Sequence, residues 1–146
     1  MSEEKDYSAT PLTKKLGIKK GARVAFVNPP VRFEEDLAPL PPGVEQLTLR
    51  AKDLDVIVIF AKSRSELAER VKVATRHLAA DGGLWISWPK PLSGYTTDLQ
   101  SNVAQAIGLV TGLVDNKVAS FNDAWTGMRF VVRVADRAAW SKRSFD

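Results

Sequence analysis

The sequence predicts a single three-layer α/β domain: a mostly parallel sheet covered by helices on both faces, closed by a C-terminal antiparallel β-hairpin. Three observations carry this expectation. After Asp55, residues 56–60 are apolar and mostly β-branched without alternation, the pattern of a strand buried on both faces. Strand-like and helix-like segments alternate through most of the chain, the order that builds strand–helix–strand units with right-handed crossovers. The last two strand-like runs, residues 113–121 and 128–134, have only a loop between them and so should pair antiparallel.

The elements follow in order. Thr10 is placed to cap a short helix, with Pro11 at its first position and Gly17 past its end. Residues 23–28 (RVAFVN) read as a buried strand stopped by Pro29-Pro30, and residues 33–37 as one or two helical turns. Residues 44–49 alternate imperfectly, as an edge strand does. Ser63 and Glu66 form a capping-box pattern ahead of a helix over 65–79, with Leu67, Val71, Ala74 and Leu78 inward. Asp81-Gly82-Gly83 is expected to end that helix, and residues 84–88 (LWISW) to form the next strand. A further helix is expected over 97–110, with Leu99, Val103, Ala106 or Ile107, and Val110 facing inward. Trp125 is expected in the hairpin loop. The chain thus divides into an N-terminal helix and turn (1–22), a sheet with its helices (23–134) and a basic tail (135–146).

Composition narrows the function classes. The 146 residues suffice for one ordinary domain, and 45% apolar with 26% charged residues is a globular balance. No cysteine is present, which excludes disulfides, thiolate metal sites and cysteine nucleophiles and fits a reducing compartment. A cytoplasmic location is expected, since the acidic, polar first residues lack the apolar core of a secretory signal, and no run is long enough to span a membrane. The net charge of +4 is uneven. Residues 1–22 carry five Lys and three acids, residues 129–146 five Lys/Arg and two acids, and the body between them eleven bases and twelve acids. Basic ends around a neutral body lack the interleaved aromatic stripe of a nucleic-acid binder, so solvated termini are the expectation.

The strand–helix order and the closing hairpin resemble the Rossmann-like fold of class I methyltransferases. Leu78-Ala79-Ala80-Asp81-Gly82-Gly83-Leu84-Trp85-Ile86-Ser87-Trp88-Pro89 resembles the helix, glycine turn and strand of their second half. A nearer resemblance, over nearly the whole chain, is to the bacterial family called domain of unknown function 3052. Tyr7-Ser8-Ala9-Thr10-Pro11-Leu12 with Lys15-Leu16-Gly17-Ile18 carries it, together with Trp88-Pro89-Lys90, Ser93-Gly94, Thr97-Asp98-Leu99 and Trp125-Thr126-Gly127-Met128-Arg129-Phe130. That family resemblance implies no activity. The methyltransferase resemblance implies S-adenosylmethionine held by an acidic, glycine-rich turn after the first strand and a carboxylate at the end of the second. Here the first turn is Asn28-Pro29-Pro30-Val31-Arg32, without glycine, and the second strand runs into Thr48-Leu49-Arg50, with Asp53 three residues late. Asn28-Pro29-Pro30 also partly matches an Asn-Pro-Pro-aromatic motif of amino-group methyltransferases. It follows the wrong strand and lacks the aromatic, so it reads as coincidence.

The expectation is therefore a non-catalytic, methyltransferase-like module with no cofactor, binding a protein partner or a small anion; a divergent S-adenosylmethionine-dependent methyltransferase is the alternative. The lone imidazole, His77, reads as a helix-flank residue, and no phosphate-loop motif is present. If the first and third strands are neighbours, their carboxyl ends gather Asn28 with Lys62, Ser63 and Arg64, and the next strand adds Trp88 and Lys90. Three cations beside a helix N-terminus would suit an anion; the plainer reading is solubilising surface charge. Trp85 and Trp88, three apart on one strand, should face opposite sides of the sheet. Trp140 and Phe145 in the tail suggest docking on the protein's own body, self-association or contact with a partner.

Overall fold

The computed structural model describes residues 10–143. Its six strands are β1 (Arg23–Val27), β2 (Glu45–Leu47), β3 (Leu54–Phe60), β4 (Leu78–Pro89), β5 (Val114–Ser120) and β6 (Trp125–Val131). The helices are α1 (Leu12–Leu16), α2 (Phe33–Leu37), α3 (Arg64–Ala74), α4 (Ser101–Leu109) and α5 (Arg137–Lys142). One sheet holds all six strands in the order β2-β1-β3-β4-β6-β5. β2, β1, β3 and β4 are mutually parallel, and β6 lies antiparallel between β4 and β5.

β3 sits centrally because both of its faces are apolar. Ile57 and Ile59 pack with Leu67, Val71 and Ala74 of α3 and Ala104 of α4, while Val56, Val58 and Phe60 pack with Leu12 and Leu16 of α1 and Phe33 and Leu37 of α2. The two tryptophans of β4 divide the same way, Trp88 to the α3/α4 side and Trp85 to the α1/α2 side. Burying the Trp85 indole leaves a donor to satisfy, and its Nε1 donates to the Leu16 carbonyl at 3.1 Å. The same bond fixes the end of α1, where Gly17 adopts the left-handed conformation that closes a helix.

Several expected boundaries move. Pro11, with extended backbone, takes the N-cap position of α1 instead of Thr10, so the helix begins one residue later and has no side-chain cap. α3 ends at Ala74, short of 79; a 3₁₀ turn at Thr75–His77 follows and Leu78 already belongs to β4. The turn is held from outside the helix: His77 Nδ1 lies 2.9 Å from the Ala51 carbonyl, and Arg143 donates to the Thr75 carbonyl. Asp81-Gly82-Gly83 does not end a helix but lies within β4, where the pairing with β3 shifts register between Leu54 and Val56. The glycines serve close approach there. A Cβ on Gly82 would stand 2.8 Å from the Leu54 carbonyl oxygen, and one on Gly83 2.4 Å from Nε of Arg129. α4 begins at Ser101, not 97, and Val110 is 87% exposed just beyond it. Its inward contacts are Ala104 and Gly108, with Val103 and Ile107 half-buried. Trp125 is the first residue of β6 and is buried, because the Phe60 and Phe121 side chains form an apolar seat at the hairpin end.

Chain direction around β1 and β3 positions the crevice. The path leaves β1 through α2 on one face and leaves β3 through α3 on the other, so the carboxyl ends of these neighbouring strands open between diverging connections. No helix joins β2 to β3. Residues 48–53 make that crossing, with Leu49 and Ala51 half-buried on the α3 side of the core.

Gly127 on β6 measures how closely the α1/α2 side is packed: a Cβ there would meet Phe121 Cζ at 2.6 Å and Trp85 Cε3 at 3.2 Å. Both rings are buried and hemmed in. Gly127→Ala should therefore destabilise the protein by about 1–3 kcal/mol through over-packing. Denaturant unfolding followed by tryptophan fluorescence measures this, and an unchanged midpoint would refute the tight packing.

Candidate functional site

Asn28 follows β1 directly and takes a left-handed backbone (φ 60°), a conformation Asn adopts more readily than most residues. Pro29 and Pro30 then carry the chain away from the sheet, and Phe33 N–H donates to the Pro30 carbonyl to start α2. On the β3 side, Lys62, Ser63 and Arg64 lead into α3. The pivot between the two strand ends is Glu66. Its carboxylate accepts from Lys62 N–H at 3.0 Å and from Asn28 Nδ2 at 3.5 Å, and pairs with Arg70 at 3.2 Å. Ser63 Oγ accepts from Glu66 N–H at 3.2 Å, the expected cap, although the glutamate reaches Lys62 N–H rather than that of Ser63.

The helix N-terminus is already supplied with a carboxylate. Asp98 Oδ1 accepts from Arg64 N–H at 2.8 Å, and the Arg64 Nε donates to the Asp98 carbonyl at 3.3 Å. This satisfies an orphan donor and sets negative charge at the positive end of the helix dipole. The six residues expected to converge are not all brought together. Asn28 and Lys62 share one pocket of about 300 Å³ with Pro29, Pro30, Val31, Phe60, Glu66, Tyr95 and Trp125. Arg64 instead lines an open apolar groove between α3 and α4, with Ala68, Val103, Ala106 and Ile107. Trp88 is buried in the core, 5% exposed. Lys90 lines a different pocket, with Lys15 and Ser120. Side-chain direction separates the three cations, and the order of strand ends does not reveal it.

Aromatic residues that the chain order did not single out shape the crevice. Lys62 Nζ stands 4.2 Å above the Tyr95 ring, Tyr95 lies 5.6 Å from Trp125, and Trp125 meets Phe60 edge-on at 5.2 Å. Tyr95 and Trp125 also line a second pocket of about 480 Å³, bordered by Arg32, Asp36, Asn122 and Asp123. That pocket shares Asp36, Asn122 and Asp123 with the one holding Lys15 and Lys90. Three neighbouring pockets thus lie along the carboxyl edge of the sheet, from that of Lys62 to that of Lys90. Among the described residues no group of three or more potential metal-ligating side chains occurs, and no helix is long and apolar enough to cross a membrane.

Trp140 docks on the protein's own body. Its Nε1 donates to the Leu78 carbonyl at 2.8 Å, its ring packs half-buried against the α3/α4 side of the core, and the Arg143 guanidinium lies 3.3 Å above it. Phe145, the other tail aromatic, lies outside the described residues.

No family model matches the sequence, and no curated protein matches it. Solved structures do match in fold. An exported-protein candidate from Bordetella parapertussis superposes with a TM-score of 0.62 at 12% identity, over 84% of this chain and 66% of its own. A Sulfolobus solfataricus protein assigned to the type 11 methyltransferases gives 0.60 at 13% identity, over 90% of this chain and 93% of its own. A SAM-dependent methyltransferase from Aquifex aeolicus gives 0.60 at 13% identity, over 84% and 88%. The chain therefore has the class I methyltransferase Rossmann-like fold, and identities this low carry the fold alone.

The residues at the strand ends do not fit S-adenosylmethionine in the pose that fold commonly uses. Pro29 and Pro30 contribute no backbone N–H where a glycine turn would present several. β2 ends into exposed Thr48 and Arg50, with no carboxylate for ribose hydroxyls. Asp53, which precedes β3 by one residue, lies at the opposite edge of the sheet near Arg143.

The Trp140 contacts make a separate expectation. Trp140→Ala should cost about 2 kcal/mol, less than a fully buried tryptophan because the ring is half-exposed. Its elution volume in size exclusion should equal that of the parent. A shift in elution without loss of stability would instead make Trp140 an intermolecular contact.

Proposed function

We propose that this chain is a methyltransferase-fold binding module that holds a small anionic ligand in the groove at the carboxyl edge of its sheet, without catalysing methyl transfer. The observation that carries this reading is the end of β1. Asn28-Pro29-Pro30 replaces the turn whose backbone would approach the methionine and ribose of S-adenosylmethionine, and the Asn28 side chain is drawn toward Glu66. The remaining chemistry favours binding over reaction. Lys62 offers a positive charge above Tyr95, and Phe60 and Trp125 floor the pocket with apolar surface. One cation over an aromatic floor suits an anion attached to a flat or apolar body.

The second reading is a divergent S-adenosylmethionine-dependent methyltransferase. It is favoured by the likeness to a SAM-dependent methyltransferase and by a crevice open where the connections from β1 and β3 diverge. On that reading the cofactor sits differently, with Tyr95 and Trp125 as stacking surfaces.

Thermal unfolding separates the two. A ligand at about 100 times its dissociation constant stabilises by about 2.7 kcal/mol, several degrees for a domain of this size. S-adenosylmethionine and S-adenosylhomocysteine should leave the melting temperature unchanged, whereas an anionic aromatic ligand such as a nucleotide should raise it. Lys62→Ala should abolish that rise. A saturable shift with S-adenosylmethionine would establish the enzyme reading instead.

A further inference from the structure

The pocket at the ends of β1 and β3 offers one positive charge and no more. Among the described residues that line it, Lys62 is the one cation. Its Nζ rests 4.2 Å above the Tyr95 ring and forms no ion pair with a described carboxylate. Glu66, in the same wall, is negative, and its charge is met by Arg70 at 3.2 Å on the next turn of α3. A ligand with one negative charge therefore neutralises Lys62. A second negative charge finds no further cation in the pocket and faces the Glu66 carboxylate.

Asn28 supplies the second polar contact. Its amide nitrogen lies 3.5 Å from Glu66 Oε2, and that carboxylate fixes which way the amide faces, because the amide oxygen would be repelled there. One amide hydrogen is engaged by Glu66, and the other is left to donate. Glu66 Oε1 accepts from Lys62 N–H at 3.0 Å, so a single carboxylate ties both residues to the same end of the pocket. An ammonium and an amide N–H match the two oxygens of a planar carboxylate. Pro29 and Pro30 bring no backbone N–H, so the turn lacks the row of amides that cradles phosphate oxygens. The rest of the wall is apolar, from Pro30 and Val31 to Phe60 and Trp125, and Lys62 already covers one face of Tyr95. At about 300 Å³ the cavity is at the small end of the range for ligand pockets, which suits a single ring.

We propose that the ligand of this pocket is a monocarboxylate carried on a single planar ring, an aromatic acid in preference to a phosphate ester. Lys62 and Asn28 hold the carboxylate, and Pro30, Phe60 and Trp125 bound the space for the ring. The inference names the ligand class for the binding reading given above and rests on that reading.

Calorimetric titration of the whole chain with benzoate, phenyl phosphate, benzamide and acetate, at constant ionic strength and about pH 8, tests the class. Benzoate then carries one negative charge and phenyl phosphate close to two. Benzoate is expected to bind saturably, roughly fivefold or more tighter than phenyl phosphate. Benzamide lacks the charge and acetate the ring, and each should bind about tenfold weaker or not at all. Lys62→Gln should weaken benzoate about tenfold. Asn28→Gly, which tolerates the left-handed backbone, should weaken it about threefold. Lys20→Gln, in the turn before β1, should leave it unchanged, and thermal melting verifies that each variant folds. Phenyl phosphate binding as tightly as benzoate, and still dependent on Lys62, overturns the carboxylate class and leaves the anion reading standing. Acetate matching benzoate overturns the ring, and benzoate binding undiminished in Lys62→Gln overturns the site. Absence of saturable benzoate binding overturns the proposal outright. The anion reading itself falls only if no anion stabilises the chain through Lys62 or if S-adenosylmethionine does so instead, so the two fail separately.

Discussion

Burial of β3 and β4 on both faces is the constraint from which the rest of the architecture follows. A strand such as Leu54–Phe60, apolar on both sides, is stable only with covering layers above and below. Helices α3 and α4 supply one layer, and α1 and α2 the other. Because short right-handed connections must reach opposite faces from neighbouring strands, the chain diverges at the ends of β1 and β3. The crevice is a by-product of that divergence, and its position is dictated before any functional residue is chosen.

What the crevice can do is limited by what the fold already consumes there. Glu66 receives donors from Asn28, Lys62 and Arg70, and Ser63 and Asp98 receive donors from the first turn of α3. These bonds tie the ends of β1 and β3 to α3 and occupy the Arg64 and Glu66 N–H groups in its first turn. The chemistry left over is Lys62 with its aromatic neighbours. Lys62 borders the crevice beside Phe60, Tyr95 and Trp125, and Lys90 lines a separate pocket with Lys15 and Ser120.

The aromatic residues link the core to the crevice. Phe26, Phe33, Phe60, Trp125 and Tyr95 touch in succession, mostly edge to face, from beneath α2 to the rim of the groove. Substitution of a ring inside this chain would disturb both core packing and the groove floor. Phe60 and Trp125 therefore belong to the core and to the crevice wall at once, whereas Lys62 is exposed at the rim.

The sequence by itself determined the fold class, because an apolar β-branched run without alternation and the strand–helix rhythm are local signals of burial and crossover. It also determined that Trp85 and Trp88 part to opposite faces, since strand geometry alternates. It did not locate the end of α3 or the reach of β4. Those boundaries depend on Ala51 and Arg143 contacting the turn at residues 75–77 and on Gly82 and Gly83 admitting a close neighbour, none of which is near in sequence. The site divides in the same way. That Asn28 and Lys62 meet follows from strand adjacency, legible once β1 and β3 are neighbours. That Lys90 turns from them toward Ser120, whose carbonyl also accepts from Lys15, was decided by tertiary structure alone: Lys15 and Ser120 come from the first helix and the fifth strand, more than a hundred positions apart. No periodicity in a single chain encodes a contact of that range, because the direction of a long, flexible side chain is chosen by the surface it finds after folding.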